Sequence, residues 1–421
     1  MEHLLDRDAA QQNPVDFDHH SAGHATNWPA TFARIRANSP RAWSEHHGGF
    51  WLATRFDDVI RIGQQPEYFS AHKDYDPATG KIGGGISIPP LPGLRGVPNE
   101  TASPEWDGVR TFINRRFSPK SVEAFRAKAQ QFAAALIDEV IEKGEFDIVE
   151  DFTNPLPALV TMELFGFPLS EWRAFADPFH KIVYTPRDDP FFAETVRGLD
   201  YFNQRVAEEV ELRRKDPRDD LLGHLANGTI GGAPLDAETI QNLAFNILAG
   251  GVDTTTALTS NTLIHLAQNP EDRERLRNDR ALLPFAREEF VRYFSPIHAL
   301  ARNVTEDVEV DGWKFRKGER VLLAYSSANR DPDVFEEPER VILDRFPNKH
   351  IGFGAGMHRC VGSFLARIMF EAMLNEVLDR IPDYRIDEDR LVRYPTIGNI
   401  NGCIHIPATF TPGKKVGAKI A

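Results

Sequence analysis

The stretch FGAGMHRCVG, residues 353–362, sets one cysteine between a glycine-rich turn and a strongly helical segment, SFLARIMFEAMLNEVLDRI. Gly354, Gly356 and Gly362 let the backbone approach something flat and large without a Cβ in the way. The free N–H groups at a helix N-terminus stabilise a thiolate. A lone cysteine is more often a small buried hydrophobe, and Cys403, inside a strand-like run, reads that way. Cys360 does not, because a core cysteine has no need of Phe353, three glycines and the basic pair His358-Arg359 around it.

A second segment breaks a local rule. A long helix begins near Asp236 (DAETIQNLAFNILAGGVDTTTALTSNTLIHLAQNP) and is apolar on more than one face, which marks it as buried. Gly250-Gly251 interrupts it midway, each glycine costing roughly 1 kcal/mol relative to alanine, and three threonines follow. Close helix packing through the glycines would explain part of this. It leaves Asp253 unexplained, since a buried carboxylate needs a partner or a task. A kink or a functional groove is the better reading.

The rest of the chain supplies the frame. The 421 residues, 41% hydrophobic and 26% charged, suffice for a large core. No linker, low-complexity run or repeat divides them, so one domain over 1–421 is expected. Residues 105–292 are mainly helical in pattern, and alternating runs such as VEVDGWKFRKGERVLLAYSSA follow as hairpin strands. A short strand pair in TIGNINGCIHIPATF closes the chain. The fold class is mainly α with a minor β region. The Gly/Pro-rich stretch 74–104 reads as a structureless lid, with Ile86, Ile88, Leu91 and Leu94 suited to its inner surface.

A formal charge of −13 argues against wholesale nucleic-acid binding. Two cysteines make no disulfide framework and fit a reducing compartment. The polar N-terminus has no apolar run of signal or membrane length, so a cytoplasmic location is expected. Its His19, His20 and His24 raise the question of a metal. A solvated terminal arm over about residues 1–30 is the preferred reading, because no cysteine or second histidine pair nearby in sequence completes a ligand set.

The cysteine segment resembles the haem-binding signature of the cytochrome P-450 family, F-x-x-G-x-H/R-x-C-x-G, at Phe353, Gly356, His358, Cys360 and Gly362. Gly250-Gly251-Val252-Asp253-Thr254 resembles the family's oxygen-activation pattern, A/G-G-x-D/E-T. The resemblance implies the triangular helical haem-thiolate fold, haem b with Cys360 as axial ligand, and insertion of one atom of O2 into a substrate C–H bond. It implies that the glycines open the helix for dioxygen, that the Thr254 hydroxyl meets the oxygen being activated, and that Asp253 passes protons. Phe353 and Gly354 belong to the cysteine loop. Propionate contacts are implied for His358, for Arg302, whose guanidinium suits a carboxylate, and for His350.

Glu289 and Arg292 match the family's E-x-x-R pair, a structural brace for the cysteine loop. The same spacing at Glu211/Arg214, Glu274/Arg277 and Glu337/Arg340 reads as exposed ion pairs. SPEWDGVRTFINRRFSP resembles the family's helix across the proximal haem face. There Arg110 reaches a propionate, and Trp106 stands where bacterial members often carry histidine. Arg110, Arg115, Arg116, Lys120 and Arg359 would gather as a basic patch for an acidic ferredoxin. With about sixty residues after Cys360, no fused reductase is expected, and electrons come from NAD(P)H through separate proteins.

The expected activity is hydroxylation of a lipophilic small molecule by a monomer. Ile86, Ile88, Ala249, Ile297 and Ile400 are expected to make a greasy pocket, with one polar contact offered by His298. A peroxide-using peroxygenase and a non-catalytic haem sensor or carrier are the alternatives, and Asp253-Thr254 counts against both. A haem-free cysteine nucleophile fails, because no base and oxyanion site assembles around Cys360.

Overall fold

A computed structural model describes residues 10–420, except 12, 77, 78, 80 and 94. Helices dominate. Those that position the site are α1 (Ala22–Asn38), α2 (Glu105–Asn114), α3 (Trp172–Tyr184), α4 (Ala237–Gly251), α5 (Asp253–Gln268), α6 (Leu283–Phe294) and α7 (Ser363–Arg380). The main sheet has five strands: β1 (Arg41–Ser44), β2 (Phe50–Ala53), β3 (Phe69–Ser70), β4 (Leu300–Val304) and β5 (Arg320–Leu323), in the order β1-β2-β5-β4-β3. β5 runs parallel to β2 and antiparallel to β4, with Val321 opposite Arg302. Distant parts of the chain thus meet in one sheet.

The largest core joins α4, α5, α6, α7 and the helix Arg126–Val140 through residues such as Phe132, Leu243, Phe290, Phe370 and Leu374. Their apolar area, removed from water at about 25 cal/mol per Å2, is the main driving term. No helix among the described residues is long and apolar enough to cross a membrane.

The structure departs from three expectations. The N-terminal segment is no solvated arm from residue 13 onward. Trp28, Phe32 and Ile35 share one face of α1, and with Phe17 they pack on Phe50 and Leu52. Ser21 caps this helix by accepting from His24 N–H at 3.1 Å. Residues 1–9 and 12 lie outside the described residues.

The stretch 74–104 is tied down rather than structureless. It opens in a hairpin, Lys73–Asp76 against Lys81–Gly84. Ile86 O accepts from Ala301 N–H at 2.8 Å, and the buried Glu100 carboxylate accepts from the N–H groups of Ile86 and Gly96 at 3.2 and 2.9 Å. Leu94 lies outside the described residues. At the other end, Cys403–His405 and Pro407–Thr409 do not pair with each other. The first joins Val392–Arg393 and the second lies between Arg385–Ile386 and Glu145–Asp147.

Candidate functional site

The cysteine turn is built on two left-handed glycines, Gly354 (φ +77°) and Gly356 (φ +68°). A Cβ on Gly356 would stand 2.2 Å from the Gly63 carbonyl oxygen, so only glycine fits. Cys360 N–H donates to Phe353 O at 2.8 Å, which closes the turn just before α7. The sulfur opens onto the cavity it lines. Burial by the surrounding protein pushes its thiol pKa up, against the Gly362 N–H that bonds the sulfur and the positive charges of Arg110, Arg359 and Arg367. Those same groups favour a thiolate once a cation binds it. Phe353 is stacked under Arg367, whose guanidinium carbon lies 4.3 Å from the ring centroid.

The opposite wall is the broken helix. α4 ends at Gly251 and α5 begins at Asp253, with Val252 at φ −92°, ψ −73° between them. The two glycines do different things. A Cβ on Gly250 would meet open space, whereas one on Gly251 would press on Thr161 Oγ1 at 3.0 Å. Gly250 therefore shapes the groove and Gly251 permits close helix packing. Thr254 lines the cavity and its hydroxyl donates to Gly250 O at 3.0 Å.

Asp253 faces away from the cavity. Its Oδ1 lies 2.6 Å from Nδ1 of His180 on α3, both groups being buried, and Tyr394 Oη stands 3.3 Å from the same nitrogen. Burial opposes a charge on His180, but Asp253 outweighs it and holds the imidazole pKa above its usual value. Asp253 Oδ2 and His180 Nε2 are buried with no hydrogen-bond partner among the described residues. Nothing in the sequence marks His180 or Tyr394 for this role; the only signal is that a buried Asp253 needs a partner.

Between these walls lies a cavity, part of it open to solvent, bounded by Cys360 and Phe353 on one side and by Gly250, Gly251 and Thr254 on the other. Arg302, 2% exposed on β4, lines it and donates to Ala301 O at 2.8 Å; no carboxylate among the described residues pairs with it. His358 Nδ1 and Trp106 Nε1 are buried and have no hydrogen-bond partner among the described residues. Burial, then Arg302 and Arg110, bring the His358 pKa down to about 3. An unpaired buried cation and two orphaned nitrogens are costly unless an anion completes them, and the two carboxylates of a haem fit that need.

Arg110 donates to Asn114 Oδ1 and Arg359 O at 3.0 and 2.6 Å, with its guanidinium 5.9 Å from the Trp106 ring centroid. His350 is a correction. Its Nε2 lies 3.0 Å from Glu288 Oε2 and its Nδ1 accepts from Gly352 N–H at 3.2 Å, so both nitrogens are engaged away from the cavity.

Of the expected pocket residues, Ile86 and Ile297 line the cavity. Ile88, Ala249, His298 and Ile400 do not. Ile88 is buried in the core beneath α1, Ala249 packs into the main core, and Ile400 pairs with Ile297 from behind. His298 is fully buried, bonded to His24 and Ser326 at 3.0 and 2.9 Å. The lining also includes Asn99, Phe117, Asn246, Leu258 and Tyr325. Asn246 precedes Gly250 by one turn and was legible as a cavity residue on that ground.

Glu289 and Arg292 form a fully buried pair with both oxygen–nitrogen distances at 2.8 Å. Glu289 also accepts from Arg345, Asn348 and the Ile342 N–H, while Arg292 donates to the carbonyls of Asn329, Pro338 and Arg340. This network fixes the chain between β5 and the cysteine turn. On the outer face Arg115, Lys120 and Arg359 are exposed. Arg116 is an exception within that patch, paired with Asp219 at 2.7 Å.

The Cytochrome P450 family profile matches residues 172–382. A Steroid C26-monooxygenase of Mycobacterium tuberculosis is 31% identical over 392 residues, 92% of this chain and 95% of that protein. Cytochrome P450 CYP107DY1 of Priestia megaterium is 30% identical over 82% of this chain and 86% of its own length. Among solved structures, CYP109E1 from Bacillus megaterium in complex with testosterone superposes with a TM-score of 0.82 at 29% identity, covering 93% of this chain and 99% of that one. Mycobacterium marinum CYP268A2 in complex with pseudoionone gives a TM-score of 0.86 at 26% identity, covering 94% and 99%. A cysteine turn facing a broken helix across an anion-seeking cavity, in a chain that matches these relatives over most of their length, has one meaning: the chain belongs to the cytochrome P450 family of oxygen-incorporating oxidoreductases.

Proposed function

We propose that this protein hydroxylates a lipophilic small molecule with O2, taking electrons from NAD(P)H through a separate ferredoxin and its reductase. The observation that carries the reading is Thr254, a hydroxyl on the cavity face of the broken helix with the Asp253 carboxylate directly behind it. A peroxygenase or a passive haem carrier has no use for that acid–alcohol pair. We read residues 1–421 as one catalytic domain acting in the cytoplasm.

Haem b suits the site, because only two cysteines exist and Cys403 is buried in a strand, so no C-x-x-C-H attachment is available. Cys360 would hold the iron, with Arg302, His358, Trp106 and Arg110 as the propionate partners. When bound, haem with a thiolate ligand supplies the chemistry that cleaves the O–O bond. The chain's own residues do the rest. The Gly362 N–H and the nearby arginines tune the sulfur. Ile86, Ile297 and Leu258 shed water from an apolar substrate, for which Asn99 and Asn246 offer polar contacts. The names of relatives that act on steroids or hold testosterone support a lipophilic substrate.

Carbon monoxide added to the reduced protein is expected to give the red-shifted Soret band of a thiolate-ligated haem. A band like that of a histidine-ligated globin would overturn the role of Cys360.

The ferredoxin would dock on the face that exposes Arg115, Lys120 and Arg359. The combined change Arg115→Glu, Lys120→Glu is expected to slow ferredoxin-driven reduction about tenfold at low salt. The difference should shrink toward 0.5 M salt, where the Debye length falls to a few ångström. Stopped-flow reduction rates that ignore both the charges and the salt would remove this face from the proposal.

A further inference from the structure

Away from the haem cavity, three imidazoles from two separate segments meet. His19 and His20 lie on the loop before α1, and His47 lies on the turn between β1 and β2. One ring nitrogen from each stands within 4.8 Å of the other two. Ring centroids are 4.2 Å apart for His19–His20, 5.5 Å for His19–His47 and 5.3 Å for His20–His47. The second histidine pair that the N-terminal sequence lacked, His46-His47, arrives through the fold.

The hydrogen bonds around these rings have a pattern. His20 Nε2 is 2.8 Å from the Ile88 carbonyl oxygen, so it must donate there. His47 Nε2 is 2.7 Å from Asp18 Oδ1, again an acceptor. Both rings thereby keep a lone pair on Nδ1. Thr396 Oγ1, 3.4 Å from His20 Nδ1, is a hydroxyl and a weak competitor for it. His19 is 1% exposed and its Nδ1 is buried with no partner among the described residues. A carbonyl or carboxylate on the far nitrogen is how proteins orient imidazoles that bind metals.

An unpartnered ring nitrogen alone does not set His19 apart, since His24 Nδ1 has no partner either among the described residues; what differs is that no second and third imidazole converge there. His24 and His298 bond each other and Ser326.

We infer that His19, His20 and His47 form a three-imidazole site for a borderline divalent metal ion of the Zn2+ class, with Asp18 orienting His47. Metal–nitrogen bonds of about 2.0–2.1 Å set the nitrogens roughly 3.3 Å apart, so the cluster must close by up to about 1.5 Å. His47 supplies that travel. It is exposed, and Gly48 and Gly49 after it are both left-handed, at φ +87° and +91°. The ion would tie the loop before α1 to the β1–β2 turn. Through Ile88 O and Thr396 it would also stiffen the segments beside Ile86 at the cavity wall.

The test is calorimetric titration of the untagged, haem-loaded enzyme with Zn2+ alone. One saturable ion per chain is expected, and Tm should rise by about 3 °C at a hundredfold excess over Kd. His47→Gln, an exposed change, should weaken binding at least tenfold while leaving the carbon monoxide spectrum and the metal-free Tm unchanged. Asp18→Asn should weaken it about 10–100-fold, as loss of an orienting partner does. No saturable binding, or binding of equal affinity in His47→Gln and His20→Gln, would overturn the site.

Discussion

Glu289→Ala is expected to destabilise the protein by about 3–5 kcal/mol, the cost of leaving a buried charge without its partner. That is a large share of the roughly 5–15 kcal/mol by which a folded protein survives. Glu289 and Arg292 are both fully buried, and Glu289 is also the acceptor for Arg345. Its removal strands two guanidiniums and frees Asn348 and the Ile342 N–H. The damage should reach the cysteine turn, so haem retention falls along with the urea midpoint. Glu289→Gln keeps the shape and two hydrogen-bond sites but not the charge, and should recover only part of the loss. An alanine variant within about 0.5 kcal/mol of the parent, as an ordinary surface change would be, would show that the network is ornamental.

The contrast with the look-alike pairs makes the point physical. Glu211/Arg214, Glu274/Arg277 and Glu337/Arg340 share the i,i+3 spacing and form ion pairs, but each lies in solvent. Such pairs contribute about 0–1 kcal/mol. Breaking the same four-residue pattern therefore costs several times more at one place than at three others, because there the pair is buried and tied to Arg345, Asn348 and the carbonyls of Asn329, Pro338 and Arg340.

How much could be read before folding divides along the same line. The cysteine turn was legible because its demands are local: Gly356 has no room for a Cβ, and Gly354 needs a left-handed backbone. The break at Gly250-Gly251 was legible because two glycines and a buried acid violate helix preferences within five residues. The partner of Asp253 was not, because His180 lies 73 positions earlier and its helix face reads as ordinary core. His350 misled for the converse reason. Its place beside the cysteine turn suggested the haem, but Glu288 on α6 claims its Nε2. The N-terminal histidines misled too, since their burial depends on Phe17, Trp28 and Phe32 finding Phe50 across the fold.

Asp253→Asn is expected to slow product formation by about 10²–10⁴-fold, the usual worth of a positioned proton donor or acceptor. The carboxylate is 0% exposed and touches His180 through Oδ1, while Oδ2 has no partner among the described residues. One oxygen is thus anchored and the other is free to take up a proton behind Thr254. Asparagine keeps the size and the contact with His180 but cannot carry that proton. Substrate-induced spin shift and the carbon monoxide band should survive. Thr254→Ala should also bind substrate normally, yet divert electrons from product into hydrogen peroxide, because the cavity then lacks the hydroxyl proposed to meet the oxygen being activated. The His180 pKa is raised on folding, so its ion pair stabilises the protein fully below the unfolded value near 6.5 and ceases to as pH rises through the folded value. Asp253→Asn should therefore flatten the high-pH side of the stability curve as well as slow turnover. Full coupling of NAD(P)H to product in Thr254→Ala, together with undiminished turnover in Asp253→Asn, would leave the pair without a role in proton delivery.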